Sequence, residues 1–356
     1  MATTPTIDED KLNAFMGQFV QDLGGAITAP LVLIGDKLGL YRAMGDSEPV
    51  TAAELAERTG CRERYVREWL SQQAASGYVT YDAEGKTFTL PPEQAMALAD
   101  PDSPAFIPGA FQLLAACIKD EPHITERFRS GEGFGWHEHD HDLFEGTERF
   151  FRPGYIANLV AAWLPSLDGV VAKLEAGAKV ADIGCGHGAS TILMAKAYPS
   201  STFVGSDYHE GSIEAARRAA ERAGVADRVT FEVASAKDFS GGPYDVVCVF
   251  DALHDMGDPV GASAHVRSQI ADDGTWMVVE PFANDALEDN LNPVGRIFYA
   301  GSTMLCTPAS LSQEVGLALG AQAGEARLTE VLNEGGFSRV RRAAETPFNL
   351  VLEVRP

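Results

Sequence analysis

Apolar residues recur at helical spacing over residues 11–44, where Leu12, Phe15, Met16, Phe19, Val20, Leu23 and Ile27 fall on one stripe. Gly24-Gly25 and Pro30 predict a break, followed by a second helix through Leu31, Ile34, Leu38 and Tyr41. From Val50 the elements shorten. Thr51-Ala-Ala-Glu54 is a capping box opening a helix to Arg58, and Gly60 makes a turn. Residues 62–75 predict a second helix with Tyr65, Val66, Trp69 and Leu70 inward. Residues 78–81 and 87–90 form a hairpin around Glu84-Gly85. Helix, turn, helix and hairpin read together as a winged helix.

Helical spacing returns at 107–118 and at 149–163, the latter with Pro153 near its start. Beyond 175 the pattern changes to short apolar strands: Lys179–Ile183, 202–205, 229–234, Tyr244–Phe250 and the run GTWMVVE ending at Glu280. Helices at 190–197, at 211–223 and one opened by Asp258 and Pro259 alternate with them. Residues 281–320 are long for a loop and carry helical apolar spacing at Phe298, Met304, Leu305, Leu311, Val315, Leu317 and Leu319. A helix at 325–334 ends at Gly335-Gly336, and 337–343 with 348–354 form a closing hairpin. Strand-helix alternation predicts an α/β fold with a mainly parallel sheet, and the two final strands have no helix between them.

The chemistry concentrates in residues 178–208, AKVADIGCGHGASTILMAKAYPSSTFVGSDY. A strand runs into Gly184, Gly186 and Gly188, and a helix follows whose free N–H groups face the turn. Position 189 is Ala, a loose match to the dinucleotide pattern, and no Lys-Ser or Lys-Thr follows, which excludes a phosphate-cradling P-loop. Asp182 stands two residues before the first glycine, and Asp207 ends the next strand, placed to take two hydrogen bonds from a ribose diol. An acid beside the loop suits a positively charged ligand that lacks phosphate.

Asp182, Gly184, Gly186 and Gly188 match D/E-x-G-x-G-x-G, so the chain resembles the class I S-adenosylmethionine-dependent methyltransferases from residue 178 to its C-terminus. With the winged helix ahead of it, the whole is similar to the small-molecule O-methyltransferases. That resemblance implies a Rossmann-like seven-stranded sheet with its last strand antiparallel, preceded by a mostly helical winged-helix dimerisation domain. It divides the chain into 1–100, a connector and lid at 101–174, and a catalytic domain at 175–356. It further implies S-adenosylmethionine as cofactor, held by Asp182, the three glycines, Asp207, Tyr208, Ser235, Ala236, Phe250 and Asp251. Ser235 replaces the family's usual acid beside the adenine, with Asp238 nearby as a substitute. The segment DALHDMGDP resembles the family's H-D-W-S-D, with Met256 in place of Trp. The family's catalytic base falls on His254, and the acid that orients it falls on Glu280. An imidazole suits removal of a hydroxyl proton near neutral pH.

Composition narrows the alternatives. The 356 residues suffice for two domains, and 45% apolar with 22% charged residues is ordinary for a globular protein. A net charge of −23 repels nucleic acid and anionic membrane. Within 46–90 eight acids outnumber five bases, a poor basis for phosphate neutralisation. A non-catalytic S-adenosylmethionine-binding regulator using the winged helix on DNA is therefore the weaker alternative. A carbon or nitrogen methyltransferase without a base is the other. Five scattered cysteines and no C-x-x-C suggest neither a disulfide framework nor a zinc site. His137, His139 and His141 would share one face of an extended strand, but without a fixed fourth ligand they predict a solvated loop, or a lid, before a metal site. The acidic, polar N-terminus is unlike a signal peptide, which makes a cytoplasmic enzyme acting on a small molecule the expectation. The apolar stripe of the first helix is read as a homodimer element.

Overall fold

The structure is a computed structural model that describes residues 7–356; the first six residues of the acidic N-terminal stretch lie outside the described residues. Its contacts divide the chain into two units, 1–115 and 116–356, so the expected connector at 101–174 is shared between them.

In the first unit, α1 (Glu9–Lys37) runs unbroken through Gly24, Gly25 and Pro30, against the expected break. A proline removes one main-chain hydrogen bond, and here Thr28 Oγ1 donates to the Gly24 carbonyl at 2.8 Å one turn earlier. Gly35 is required for packing, because a Cβ there would come 2.5 Å from the Tyr41 ring. The capping box forms as read: Thr51 Oγ1 accepts from the Glu54 N–H, and Glu54 accepts from the Thr51 N–H at 2.8 Å. It opens α2 (Ala52–Thr59), and α3 (Glu63–Ala75) follows. Val66, Trp69 and Leu70 are buried in α3, but Tyr65 is 80% exposed, against the inward expectation. One turn separates Tyr65 from Trp69, yet the helix buries only a narrow face. β1 (Thr80–Asp82) and β2 (Thr87–Thr89) pair as the antiparallel wing, and α4 (Pro92–Leu98) follows.

α5 (Pro108–Ser130) spans the division between the units. The second unit continues through α6 (Asp142–Asn158), a π-helical turn at Leu159–Trp163 and α7 (Val170–Ala176). Then come β3 (Lys179–Ile183), α8 (Ala189–Ala197), β4 (Thr202–Asp207), α9 (Glu210–Ala223), β5 (Val229–Val233) and β6 (Tyr244–Phe250). α10 (Pro259–Gln269) and β7 (Ile270–Pro281) precede the long insertion, which folds into α11 (Pro293–Gly301), a π-helical turn at Ser302–Cys306 and α12 (Thr307–Leu311). α13 (Gly324–Glu334), β8 (Arg339–Glu345) and β9 (Asn349–Arg355) close the chain.

The seven strands lie in the order β5-β4-β3-β6-β7-β9-β8. β3 to β7 pair in parallel, and β9 runs antiparallel to both β7 and β8, as expected. β6 and β7 are apolar on both faces because helices cover both sides, the composition of a central parallel strand. The sheet order reverses between β3 and β4 on one side and β6 on the other. Ligands of such sheets collect outside the C-terminal strand ends at that switch point.

Candidate active site

A cavity of about 470 Å³ opens at those strand ends. Gly184 and Gly186 lie on its wall with φ of 68° and 51°, a region only glycine enters freely. A Cβ on Gly186 would meet no protein atom within 4 Å, so the backbone is bare toward the cavity. Asp207, at the end of β4, accepts the Gly186 N–H at 3.0 Å on one oxygen and the His209 N–H at 2.9 Å on the other. It thus ties the glycine loop to the adjacent strand while facing the cavity. Tyr208, Ser235, Ala236, Phe250 and Asp251, expected to hold the cofactor, also line it. Asp238 accepts the Ser235 hydroxyl at 2.5 Å.

Two expected ligand residues are placed differently. Asp182 is 1% exposed and lies off the cavity wall, where its Oδ2 accepts the hydroxyls of Ser190 and Thr191 at 2.7 and 2.6 Å. It anchors the start of α8, and burial raises its pKa to about 6 against those hydrogen bonds. Gly188 also lies off the wall. With φ at 78° and a built Cβ only 2.5 Å from the Phe231 ring, it is a packing glycine.

Asp251 holds a left-handed backbone, φ 50°, directly after β6. Its carboxylate accepts from Tyr155 Oη at 3.3 Å and Asn349 Nδ2 at 3.2 Å. Burial, with the Glu280 charge nearby, pushes its pKa up to about 8.

His254 and Asp255 form a buried turn after β6. His254 Nδ1 bonds Glu280 Oε2, and Glu280 Oε1 accepts the Leu253 N–H at 2.9 Å. Glu280 therefore grips both the ring and the turn that carries it. His254 Nε2 stands 3.2 Å from Asp255 Oδ1, at ion-pair distance, although Oδ1 completes no aligned hydrogen bond. Burial acts to lower the His254 pKa, but Glu280 and Asp255 together outweigh it and hold the ring well above its usual value. Burial raises Asp255. Asp255 is on the cavity wall; His254, 4% exposed, is not among its lining residues. Cys306, from the π-helical turn, closes the far side, its thiol pushed up to about 12 by burial.

The remaining wall comes from segments with weak patterns. Trp136 and His137 from a 3-10 turn, and Phe144, Thr147, Glu148, Phe151 and Tyr155 from α6, cover one side. Ser312 and Gln313, after α12, and Met256 cover another. α6 starts seven residues before the expected helix, which puts Pro153 inside it. The three alternating histidines do not share a face. The segment turns instead of extending, and His139 is buried with Nδ1 2.7 Å from Asp120.

The site fits a class I methyltransferase cofactor: bare glycine backbone, an acid closing β4 at Asp207, and Asp251 and Glu148 facing a cavity whose described lining holds no Lys or Arg. Residues 174–336 match a family model described as a methyltransferase domain, and residues 26–100 match one described as an Rv2258c-like winged HTH domain. The chain thus carries an N-terminal winged-helix domain followed by a methyltransferase domain, consistent with a class I S-adenosylmethionine-dependent methyltransferase. It is 29% identical over 181 residues to 27-O-demethylrifamycin SV methyltransferase of Amycolatopsis mediterranei, covering 50% of this chain and 53% of that one. It is 33% identical over 98 residues to an uncharacterised Synechococcus protein, covering 27% of this chain. The chain thus spans 53% and 24% of the lengths of these curated relatives. Human N-acetylserotonin methyltransferase, solved with S-adenosylmethionine, superposes with a TM-score of 0.70 at 14% identity, covering 100% of this chain and 99% of that one. Mitomycin 7-O-methyltransferase gives 0.68 at 21%, covering 98% and 100%. At these identities the likeness is one of fold.

Proposed function

We propose that the protein transfers a methyl group from S-adenosylmethionine to a hydroxyl of a small molecule, with the Glu280–His254–Asp255 cluster taking the acceptor's proton. The observation that carries this reading is a carboxylate–imidazole–carboxylate cluster at the wall of the same cavity that holds the glycine loop and Asp207. When bound, the cofactor supplies a methyl group already activated on a sulfonium. Asp207 would hold the ribose, the backbone of Gly184 and Gly186 would lie against the amino-acid portion, and Asp251 would offer negative charge once ionised. Trp136, Phe144, Phe151 and Met256 line the remaining volume with flat and apolar surface, suited to an aromatic acceptor. The protein's work is to orient the hydroxyl and accept its proton. A methyltransferase relative named for an O-demethylated substrate supports a hydroxyl acceptor.

A homodimer formed through α1 belongs to the same reading. Nucleic acid does not: Arg64 and Arg67 of α3 are paired with Glu68 and Glu63, which leaves little charge for phosphate.

The test is calorimetric titration with S-adenosylhomocysteine, wild type beside Asp207→Ala. Binding in the micromolar range, about −8 kcal/mol, that the substitution weakens at least tenfold while the protein stays folded supports the cofactor site. Folded wild type that binds nothing sinks it.

A further inference from the structure

We infer that Glu148 selects acceptors that carry a basic nitrogen, so that the hydroxylated aromatic taken by this cavity is a positively charged amine; this rests on the hydroxyl reading above.

Glu148, Asp207, Asp251 and Asp255 are the carboxylates of the described cavity lining. Three of them are engaged within the chain. Asp207 accepts the Gly186 and His209 N–H groups, and Asp251 accepts from Tyr155 and Asn349. Asp255 Oδ2 accepts the Trp136 indole N–H at 3.1 Å. Glu148 differs. Its side chain is 26% exposed, and Arg152, one turn along α6, holds Nε 3.8 Å from Glu148 Oε1, outside hydrogen-bond reach. Burial pushes the Glu148 pKa up against the attraction of Arg152 and Arg149. A carboxylate whose desolvation exceeds what its partners restore gains from a cation brought beside it.

The position of Glu148 assigns that cation to the acceptor. Phe144 and Phe151 stand one turn before and one turn after it on α6, and all three line the cavity. Thr147 beside it donates its hydroxyl to the Leu143 carbonyl at 2.7 Å, which leaves the carboxylate as the polar point of an aromatic wall completed by Trp136. An aromatic amine suits that wall twice. Its ammonium makes a charge-assisted hydrogen bond to Glu148 and lies against ring faces that attract cations. An acceptor carboxylate is refused. The described lining holds no Lys or Arg, burial pushes the His187 pKa below its usual value, and a net charge of −23 repels an anion on approach.

The test is calorimetric titration of the full chain, saturated with S-adenosylhomocysteine, and needs no turnover. The probes are tyramine, its neutral counterpart tyrosol and the anionic para-hydroxyphenylacetate, with the same three side groups on a naphthol skeleton. In at least one set the amine should bind about tenfold tighter than the neutral compound, the scale of one charge-assisted hydrogen bond, and the carboxylate should bind most weakly. Added salt should weaken the amine and leave the neutral compound unchanged. Glu148→Gln should erase the preference, and Glu148→Asp should keep part of it. If no amine binds tighter than its neutral counterpart, the inference falls. It falls as well if folded Glu148→Gln keeps the preference. If that variant weakens S-adenosylhomocysteine as much as it weakens the amine, the carboxylate serves the cofactor and the inference falls. Methyl transfer from S-adenosylmethionine separates these failures from failure of the hydroxyl reading. Methylation of the neutral phenol on oxygen, without a preference for the amine, overturns only the role of Glu148. Methylation of the amine on nitrogen overturns both, because the nitrogen is then the acceptor and not the anchor.

Discussion

At the scale of single residues, the site is a place where burial sets protonation. Asp251 is an acid whose folded pKa is raised from 3.8 to about 8. A raised acid keeps its proton in the folded state after the unfolded chain has lost it. Its stabilising contribution is therefore full below 3.8 and is lost as pH rises through about 8. Thermal unfolding of the cofactor-free protein should show the melting temperature declining across that window, and Asp251→Asn should flatten the decline; an unchanged slope would refute the shift. The same group should discriminate the cofactor from its product. S-adenosylmethionine carries a sulfonium charge that S-adenosylhomocysteine lacks, so its relative affinity should grow as Asp251 ionises. Much of this site was legible in the sequence, because a glycine loop and an acid closing the next strand have one geometric purpose each. What was not legible was direction. The sequence places Asp182 beside the loop and His254 after β6, but which way each side chain points depends on partners far along the chain. Asp182 is claimed by the hydroxyls of Ser190 and Thr191, and His254 by Glu280, 26 residues away.

At the scale of elements, patterns set by the core were readable and patterns set by the cavity were not. β3 falls where its apolar run predicts, and α13 starts within a residue of expectation. α6 was seen only from Arg149, because its first two turns carry Asp142, Glu145, Thr147 and Glu148, polar residues with little core-facing period. Phe144 there stacks on His209 at 4.3 Å between ring centres, beside the cavity. Such positions are chosen for the ligand space and leave no helical stripe. α1 erred the other way: Pro30 reads as a stop, yet the flanking apolar turns outweigh one missing hydrogen bond. Gly188 offers a test of element packing separate from chemistry. Gly188→Ala forces a side chain into positive φ and against Phe231, and should cost about 1–3 kcal/mol in denaturant unfolding. A loss below about 0.5 kcal/mol would mean that α8 shifts freely, and the packing role of this glycine would fail.

At the scale of the whole molecule, two features oppose each other. The chain carries a net charge of −23, so two copies repel. Yet α1 presents Leu12, Phe15, Met16, Phe19, Val20, Leu23 and Ile27 as one exposed stripe, each between 47% and 63% accessible. Sixteen residues of helix carry that stripe about 24 Å along one face. Single exposed apolar residues are common, but a continuous row of seven is the surface on which the proposed homodimer would rest. In the homodimer proposed above, the stripe would meet itself symmetrically and need no charge complementarity. The two features together predict how the dimer responds to salt. Raising ionic strength screens the repulsion and leaves the apolar contact intact. Sedimentation equilibrium should therefore show association tightening as salt is added, the reverse of a salt-bridged interface. Phe15→Lys with Phe19→Lys, both exposed in the single chain, should give a folded monomer at every salt concentration. A dimer that persists in that variant would place the contact elsewhere, and one that weakens with salt would show that charge, not the α1 stripe, holds it.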